Sequence, residues 1–539
     1  MSRRIRPLLL LLAVASLSAL AFAGSSLSST TRSHAGDTLV VADRDVANSL
    51  DPDGAASTYI PNHNAYVNLY DRLFEQTSVP NPLGNGLTSA IATYPMLAES
   101  AKVDASGKSI TVKLRRGVKS NYGNELTSAD AVFSWQRAIG LGGTGGFEYA
   151  VLAKVTKVAA VGKYTVRYFT KGASPAFQPM LALAQIPIYD ATEVKKHITA
   201  ADKTAKTWLA DHAAGFGPWT VKSWTKGQSL IYERRDDYYG KKPQYKTVRL
   251  LAIPNAASRL ATLKGGNVDI ALALSPSQIK DAAKTKGLRI ANFKGNSQEW
   301  VFLNYKQKEL ASPLVRQALL YATPYKQLID NVFLGDAEIA KSPLPWYLPY
   351  TTDKYWHFDT NVAKAKELLA KAGFTSASPL SLELYYSDSR AVQDQITAIL
   401  QQAWSAAGVK VTLVKAPEAT LIDRYIIKKD LPAYSTDTAS PVPPDGSVLL
   451  FFHLTGGFLN GVNYSSPAWD KAFAASLATN DPKFRKGVFE GMQKLFWANP
   501  PFLPLVTTYD QVAMKDSIGA YTWRYDHATA WAPITYVGQ

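Results

Sequence analysis

Cysteine is absent from the sequence of 539 residues, and this absence limits both stability and chemistry. Without cysteine the protein has no disulfide bond, no thiol nucleophile and no zinc site built on thiolates. A lipid anchor on an N-terminal cysteine is excluded for the same reason. A large hydrophobic core must therefore hold the fold together, and the chain is long enough for two or more lobes.

Histidine is also scarce: there are seven, and no two lie within five positions of each other. Helical metal pairs such as H-E-x-x-H are therefore absent. The G-x-S-x-G nucleophile elbow and the G-x-x-x-x-G-K-[ST] phosphate loop are absent too. One S-x-x-K match, Ser277 to Lys280, lacks the K-T-G and S-D-N motifs that accompany it in penicillin-recognising enzymes. We therefore expect no catalytic residue, no bound metal and no cofactor.

The charge is strongly basic, with a formal net charge of +16 and a pI near 9.5. Lysine and arginine are scattered, and no run of five or more occurs. This distribution favours a solvated basic surface over a nucleic-acid-binding patch, so we expect no nucleic-acid partner.

The first 36 residues are typical of an exported protein. MSRRIRP is a basic start, Leu8 to Phe22 is an uncharged apolar run, and Ala21-Phe22-Ala23 fits a small-x-small cleavage site. The sequence predicts a signal peptide over residues 1–23 and a flexible Ser/Thr/Gly-rich leader over 24–36. We expect a soluble protein that is secreted across the cytoplasmic membrane into the periplasm or another extracytoplasmic space.

Apolar periodicity predicts alternating strands and helices along the rest of the chain. Thr127 and Asp130 occupy the N-cap and N3 positions of a capping box, and Gly227 suits the turn of a hairpin formed by PWTVKSW and SLIYERR. Strands are predicted at 37–45, 109–118, 246–254, 299–305 and 381–388, helices at 63–76, 126–139, 312–323 and 361–374, and a helix followed by a strand across 392–416. Strand–helix–strand units with short joints imply parallel pairing, and hence an α/β fold with at least two lobes.

Five segments in a fixed order carry a resemblance to a known family. SITVKLRRGVKSNYGNELTSADAVFSWQRAI combines a strand ending in L-R-x-G-V with a G-x-x-L-T-x-x-D loop and a helix with a terminal Arg. The others are GFGPWTVKSW with its partner strand and ERRDDYYG, IPNAASRLATLKGGNVDI, SPLVRQALLYAT, and GDAEIAKSPLPWYLPY. Across residues 37 to about 510 the chain resembles the family 5 solute-binding proteins, which are extracytoplasmic receptors of oligopeptide and dipeptide ABC importers.

The resemblance implies a bilobal clamshell like that of the type II periplasmic binding proteins, with an extra inserted domain. Lobe I would be discontinuous, the extra domain would be inserted into it, and lobe II would be continuous. The implied ranges are 37–80, 206–290 and 505–539 for lobe I, 81–205 for the extra domain and 291–504 for lobe II.

The resemblance also implies a ligand site in the segment YSTDTASP. Peptide-binding members carry W-x-x-D-x-x-[DE]-P, whose Asp accepts the α-ammonium group of the peptide and whose preceding residues pair with the peptide backbone. Asp437 takes the place of that Asp, and Tyr434, Ser435 and Thr436 precede it. Tyr434 stands where the family has Trp, and Ser440 where it has an acid. A loop carboxylate that caps a turn is the alternative interpretation of Asp437.

Two aromatic residues, Trp346 and Phe451, are further candidates, since aromatics at a lobe interface can stack on ligand side chains. Core packing is the alternative for both. We expect a monomeric receptor that captures short peptides and delivers them to the permease subunits of an ABC transporter, without chemistry. The same role for an oligosaccharide, nickel chelate, opine or haem is the alternative. A secreted hydrolase and a basic surface-binding protein are less favoured.

Overall fold

A computed structural model describes residues 37–537, apart from 55, 58, 391 and 439–444. The predicted signal peptide (1–23) and leader (24–36) lie outside the described residues, as does Ser440.

The strands of the described residues are numbered in chain order. They are β1 (Thr38–Asp43), β2 (Phe74–Pro80), β3 (Thr88–Pro95), β4 (Ala98–Val103), β5 (Ser109–Leu114), β6 (Val155–Gly162), β7 (Thr165–Thr170), β8 (Trp219–Thr225), β9 (Ser229–Arg234), β10 (Thr247–Ala252), β11 (Ile270–Ala271), β12 (Leu288–Leu303), β13 (Ala337–Ile339), β14 (Leu380–Ser387), β15 (Val409–Ala416), β16 (Ala433–Thr438), β17 (Phe502–Lys515), β18 (Ile518–Gly519), β19 (Thr522–Arg524) and β20 (Thr535–Tyr536).

The α-helices are numbered in the same way. They are α1 (Ile60–Leu69), α2 (Ser128–Leu141), α3 (Thr144–Phe147), α4 (Phe177–Met180), α5 (Ala191–Val194), α6 (Lys206–Leu209), α7 (Ala256–Lys264), α8 (Pro276–Ala283), α9 (Pro313–Ala322), α10 (Tyr325–Gln327), α11 (Val362–Lys371), α12 (Gln393–Ala406), α13 (Glu418–Ile422), α14 (Ser447–Phe452), α15 (Pro467–Ser476) and α16 (Pro482–Ala498). Short π-helical turns span Glu148–Leu152, Leu328–Val332 and Asp423–Lys428, and a 3₁₀ turn spans Lys195–His197.

One mixed sheet of eleven strands dominates the described part of the chain. Its order is β15-β14-β16-β12-β17-β11-β1-β10-β9-β8, and β13 also pairs with β17. Parallel pairing of β1 with β10 and β11, and of β14 with β15 and β16, confirms the predicted α/β class. The long antiparallel strands β12 and β17 lie between the two halves of the sheet, and their register shifts twice near its middle.

The local signals read from the sequence form as predicted in two places. Asp130 accepts a hydrogen bond from the backbone N–H of Thr127 at 2.7 Å, so the side chain of the capping box closes the first turn of α2. Gly227 has φ 69° between β8 and β9, which pair as a hairpin.

The predicted helix at 63–76 is wrong at both ends. Helix α1 ends at Leu69, and Phe74 already begins β2. Tyr70 is extended (φ −122°, ψ 141°) and ends the helix. The apolar spacing misled because α1 is buried almost all round, so its pattern does not mark one face. The strand predicted at 299–305 also begins eleven residues earlier, at Leu288.

Three smaller sheets accompany the main one among the described residues, and the smallest is the antiparallel pair of β18 and β20. Strands β4, β5, β7 and β6 form a four-stranded antiparallel sheet, and β19 joins β3 and β2. The four-stranded sheet falls within 81–205, the range predicted for an extra domain, and the domain boundaries stay predictions. Within the described ranges, no helix combines the length and apolarity that crossing a membrane requires.

Candidate functional site

A cavity of about 400 Å³ lies where the two halves of the main sheet meet. Its walls come from the C-terminal end of β1, the first half of α1, α8, β12, β17 and the segment after β18. The lining residues are Asp43, Arg44, Ile60, Pro61, Asn64, Leu272, Ala273, Leu274, Pro276, Ile279, Phe293, Glu299, Phe333, Val392, Thr508, Tyr509, Asp510, Gln511, Val512, Tyr521, Thr522, Trp523, Arg524, His527, Ala528 and Thr529.

A second cavity, of about 440 Å³, lies at the edge of the first half of the sheet. It is rich in lysine, but Lys264 is paired with Asp281 and Lys515 with Asp269. Two of its three lysines are thus already paired with carboxylates, and the third is Lys286. The cavity between the two halves is the better candidate for a functional site, because residues from both halves of the sheet line it.

Acidic side chains dominate the charge of the cavity between the halves. Asp43, Glu299 and Asp510 line it, and Asp510 accepts a hydrogen bond from the indole of Trp523 at 2.5 Å. Arg524 also lines it, but its guanidinium is bound to Glu75 and Asp526 at 2.8–3.0 Å. Arg44 also lines the cavity, beside Asp43, whose pKa burial raises and Arg44 partly lowers. The three carboxylates therefore outnumber the one lining arginine that no described carboxylate pairs with, and this balance favours a ligand that carries positive charge.

Two residues of the cavity wall have left-handed backbone conformations that non-glycine residues rarely adopt. Ala273 has φ 53° and His527 has φ 54°. The carbonyls of Leu272 and Ala273 both accept hydrogen bonds from the buried Arg259, which holds this segment in place. Backbone strain that the surroundings enforce is common at ligand sites.

Asp437 lies near the end of β16, in the second half of the sheet. Arg390, just beyond β14, forms ion pairs with both Asp437 and Glu418, the second at 2.9 Å. Burial raises the pKa of Glu418, but the hydrogen bonds from Arg390 outweigh it and hold the pKa below its ordinary value. Asp437 is thus a strand carboxylate paired with a cation, and its role as a ligand contact stays a prediction.

The three residues before Asp437 are enclosed by protein. Tyr434 is 4% exposed, and Ser435 is 1% exposed and donates a hydrogen bond to the side chain of Gln393 at 2.8 Å. Thr436 is buried as well. Strand β16 is paired with β12 along its whole length, but with β14 only as far as Ser435. From Thr436 onward no described strand pairs with this edge of β16. The assignment of all three residues as ligand contacts stays a prediction.

Trp346 and Phe451 lie in different surroundings. The indole of Trp346 donates to the carbonyls of Lys294 and Gly295, and its ring lies 6.2 Å from that of Trp523. Phe451 packs against Phe147 with ring centroids 4.6 Å apart, and both are half-buried. Trp346 thus packs behind Trp523, which lines the cavity, whereas Phe451 on α14 packs against α3. Their roles as ligand contacts stay predictions.

None of the six predicted residues is among the described residues that line the cavity, but Glu299 is. Glu299 is the register partner of Asp437 on the neighbouring strand. It starts the apolar run EWVFLNY, and an acid at a buried strand position is the signal that could have identified it. Among the described residues, no group of three or more His, Asp or Glu could hold a metal ion.

A charged cleft at the junction of two α/β halves joined by a pair of shared strands is the architecture of two-lobed binding proteins that close over a solute. The chain belongs to the bacterial extracellular solute-binding proteins of family 5, whose model, named for the middle of these proteins, matches residues 92–458.

Three known proteins illustrate the similarity. The chain is 28% identical over 436 residues to the probable D,D-dipeptide-binding periplasmic protein DdpA of Escherichia coli, covering 79% of this chain and 81% of that protein. It is 26% identical over 489 residues to the oligopeptide-binding protein AppA of Bacillus subtilis, covering 85% and 87%. The crystal structure of the ABC transporter substrate-binding protein CtaP of Listeria monocytogenes superposes with a TM-score of 0.81 at 21% identity, covering 93% of this chain and all of that one. The predicted bilobal clamshell is confirmed.

Proposed function

We propose that this receptor captures short peptides between its lobes and delivers them to the membrane permease of an ABC importer. Family membership and the names of two relatives, one dipeptide-binding and one oligopeptide-binding, support the ligand class. The receptor acts as a monomer and performs no chemistry. Contacts to both lobes exist only when the lobes are closed, so the ligand shifts the protein toward the closed state.

The observation that carries the proposal is the position of Asp437 at the free edge of β16. Beyond Ser435 the strand has lost its β14 partner, so backbone groups from Thr436 onward can pair with an added strand. A peptide can add to such an edge by main-chain hydrogen bonds. Asp437 stands where the first residue of the added peptide would present its ammonium group.

The ion pair with Arg390 is compatible with this role. A carboxylate offers about four acceptor positions, so Asp437 can bind Arg390 and a ligand ammonium together. Arg390 fixes the orientation of Asp437 before the ligand arrives, which reduces the entropy that binding costs. Its guanidinium also faces Glu418, so both signs of charge meet at this edge, as a zwitterionic ligand requires.

Binding measured with and without a free N-terminus tests the proposal. Alanine peptides of two to six residues should raise the melting temperature of the mature protein, and their N-acetylated copies should not. Replacing Asp437 by Asn should weaken binding by about 1.5–3 kcal/mol, the order of one charge-assisted hydrogen bond. Asp423→Asn, which removes an exposed carboxylate paired with Lys428, is the matched control. Equal binding of free and acetylated peptides would remove Asp437 from the site.

One observation favours a second candidate, an oligosaccharide. Phe293, Tyr521 and Trp523 line the cavity, and flat aromatic rings stack well on sugar rings. The same thermal series should therefore include oligosaccharides. Stabilisation by sugars alone would keep the receptor role and replace the peptide.

A further inference from the structure

Glu299 is a buried carboxylate in the wall of the cavity, and the described residues give a hydrogen-bond partner to only one of its two oxygens. The residue is 4% exposed, and its Oε2 accepts a hydrogen bond from Nε2 of Gln393 at 2.7 Å. No described residue donates a hydrogen bond to the other oxygen, Oε1. The β12–β17 pairing shifts register between Glu299 and Trp300. Such irregularities re-aim side chains next to binding sites.

The amide of Gln393 holds the Glu299 carboxylate in a fixed orientation. Gln393 is fully buried at the start of α12, and its Oε1 accepts a hydrogen bond from the hydroxyl of Ser435 at 2.8 Å. The amide oxygen is thereby occupied, so the NH₂ group must face Glu299. A carboxylate held in this way presents its second oxygen to the cavity in one position, which is the preorganisation that a specific site needs.

Among the described residues, Glu299 forms no ion pair of its own, and Arg390 is the cation that acts on it. Arg390 lowers its pKa, but that guanidinium is shared between Glu418 and Asp437. Burial dominates and raises the pKa of Glu299 to about 7. A buried carboxylate without a full partner is costly, and a ligand cation that reaches Oε1 removes that cost.

Glu299 and Asp437 are neighbours on adjacent strands. They are register partners in the antiparallel pair of β12 and β16, so they leave the sheet on the same face. The β-carbons of such partners are roughly 4.5–5.5 Å apart. An ammonium group bound to Asp437 and a cationic side chain of the same residue can therefore reach both carboxylates.

We propose that Glu299 is a specificity-determining residue that binds the cationic side chain of a peptide's first residue, so that the receptor prefers peptides beginning with Lys or Arg. This inference rests on the proposed capture of peptides by their N-terminus. Asp43 and Asp510 also line the cavity, so its carboxylates outnumber Arg44, and this balance favours the same charge. Glu299 thereby defines the class of peptide, which Asp437 alone does not.

The test compares two peptides of nearly equal shape, Lys-Ala-Ala and norleucyl-Ala-Ala, by calorimetric titration. The wild-type receptor should bind the lysyl peptide about tenfold tighter or more, the order of one charge-assisted contact. Glu299→Gln keeps the size of the side chain and its contact with Gln393. It should bind both peptides equally, with no loss for the norleucyl peptide. Glu367→Gln, which removes an exposed carboxylate on α11, should keep the wild-type preference.

The outcomes separate this inference from the proposed function. A wild-type receptor that binds both peptides equally, or an E299Q variant that keeps the preference, overturns the role of Glu299 and leaves peptide capture intact. Asp437→Asn should weaken both peptides to the same degree, because it removes the contact they share. Failure of every free peptide to bind refutes the proposed function, and the inference with it.

Discussion

Replacing Arg316 by Met should destabilise the protein by about 3 kcal/mol. Arg316 is fully buried in α9 and lies over the ring of Tyr305 at 3.5 Å. Its guanidinium donates to the carbonyls of Leu310, Pro500 and Leu303 at 2.5, 2.8 and 2.9 Å. It thereby ties the end of β12 to the start of β17.

The magnitude follows from two opposing terms. Methionine leaves three buried carbonyls without donors, at about 2 kcal/mol each, or about 6 kcal/mol together. Burial lowers the pKa of Arg316 to about 10. A fall of that size corresponds to a cost of about 3 kcal/mol for burying the charged guanidinium, and the Met variant does not have this cost. The difference is about 3 kcal/mol, a large fraction of the stability of a typical domain.

The assay is denaturant unfolding followed by tryptophan fluorescence. Arg167→Met, which removes an exposed arginine from β7, should change the free energy of unfolding by about 0.5 kcal/mol or less. An R316M variant as stable as the wild type would show that water or a local shift satisfies the three carbonyls. That result would refute the estimate of about 3 kcal/mol for the loss of stability.

Three further predictions concern stability. Because the pKa of Glu299 is raised from 4.5 to about 7 on folding, despite Arg390, the wild type should lose up to about 3 kcal/mol as pH rises from 4.5 through 7. E299Q should therefore be the more stable protein at pH 8, with little difference at pH 4.5, and equal pH profiles would contradict this. Asp130→Ala removes the acceptor of two backbone N–H groups and should cost about 2 kcal/mol in denaturant unfolding. Gly217→Ala places a Cβ 2.6 Å from backbone atoms and should cost about 2–4 kcal/mol, whereas Gly487→Ala, in open space on α16, should stabilise by about 0.5–1 kcal/mol. A melting temperature of G217A at or above that of G487A would contradict the steric argument.

Local chemistry in the sequence predicted much of the fold. The hairpin of β8 and β9 and the capping box of α2 depend on residues a few positions apart, so their patterns are visible in the chain. The structure also gives a physical reason for the glycines of GFGP. A Cβ on Gly215 or Gly217 would meet the backbone of residues 68–69 at 2.6 Å.

The candidate site was less predictable, because it depends on pairings distant in sequence. Asp437 was identified through a family pattern, but its partner Arg390 lies 47 positions earlier and matches no motif. Glu299 becomes a cavity residue only when β12 pairs with β16 and α12 brings Gln393 against it. Periodicity assigns such a residue to a strand and does not reveal what the strand faces.

Two arginines that match the family motifs also show that a sequence pattern does not reveal what a side chain contacts. Arg137 and Arg316 both match family motifs, and the structure gives both a stabilising role. Arg137 forms ion pairs with Asp51 and Asp53 at 2.7 and 2.8 Å, and Arg316 binds backbone carbonyls. A motif residue of a binding protein is therefore not evidence of ligand contact by itself.

The pairing of β12 with β17 has a consequence for how such receptors can diverge. Phe302 and Phe502 are register partners, so the chain leaves the pair of β12 and β17 and returns to it at adjacent points. Residues 304–501 are thus an exchangeable cassette whose two splice points lie side by side. Exchange at these points would replace the segment that carries Arg390 and Asp437 and would keep β12, with Glu299, and β17. The ligand preference after such an exchange would depend on how the new β16 pairs with β12, because Glu299 stays in place opposite the position of Asp437.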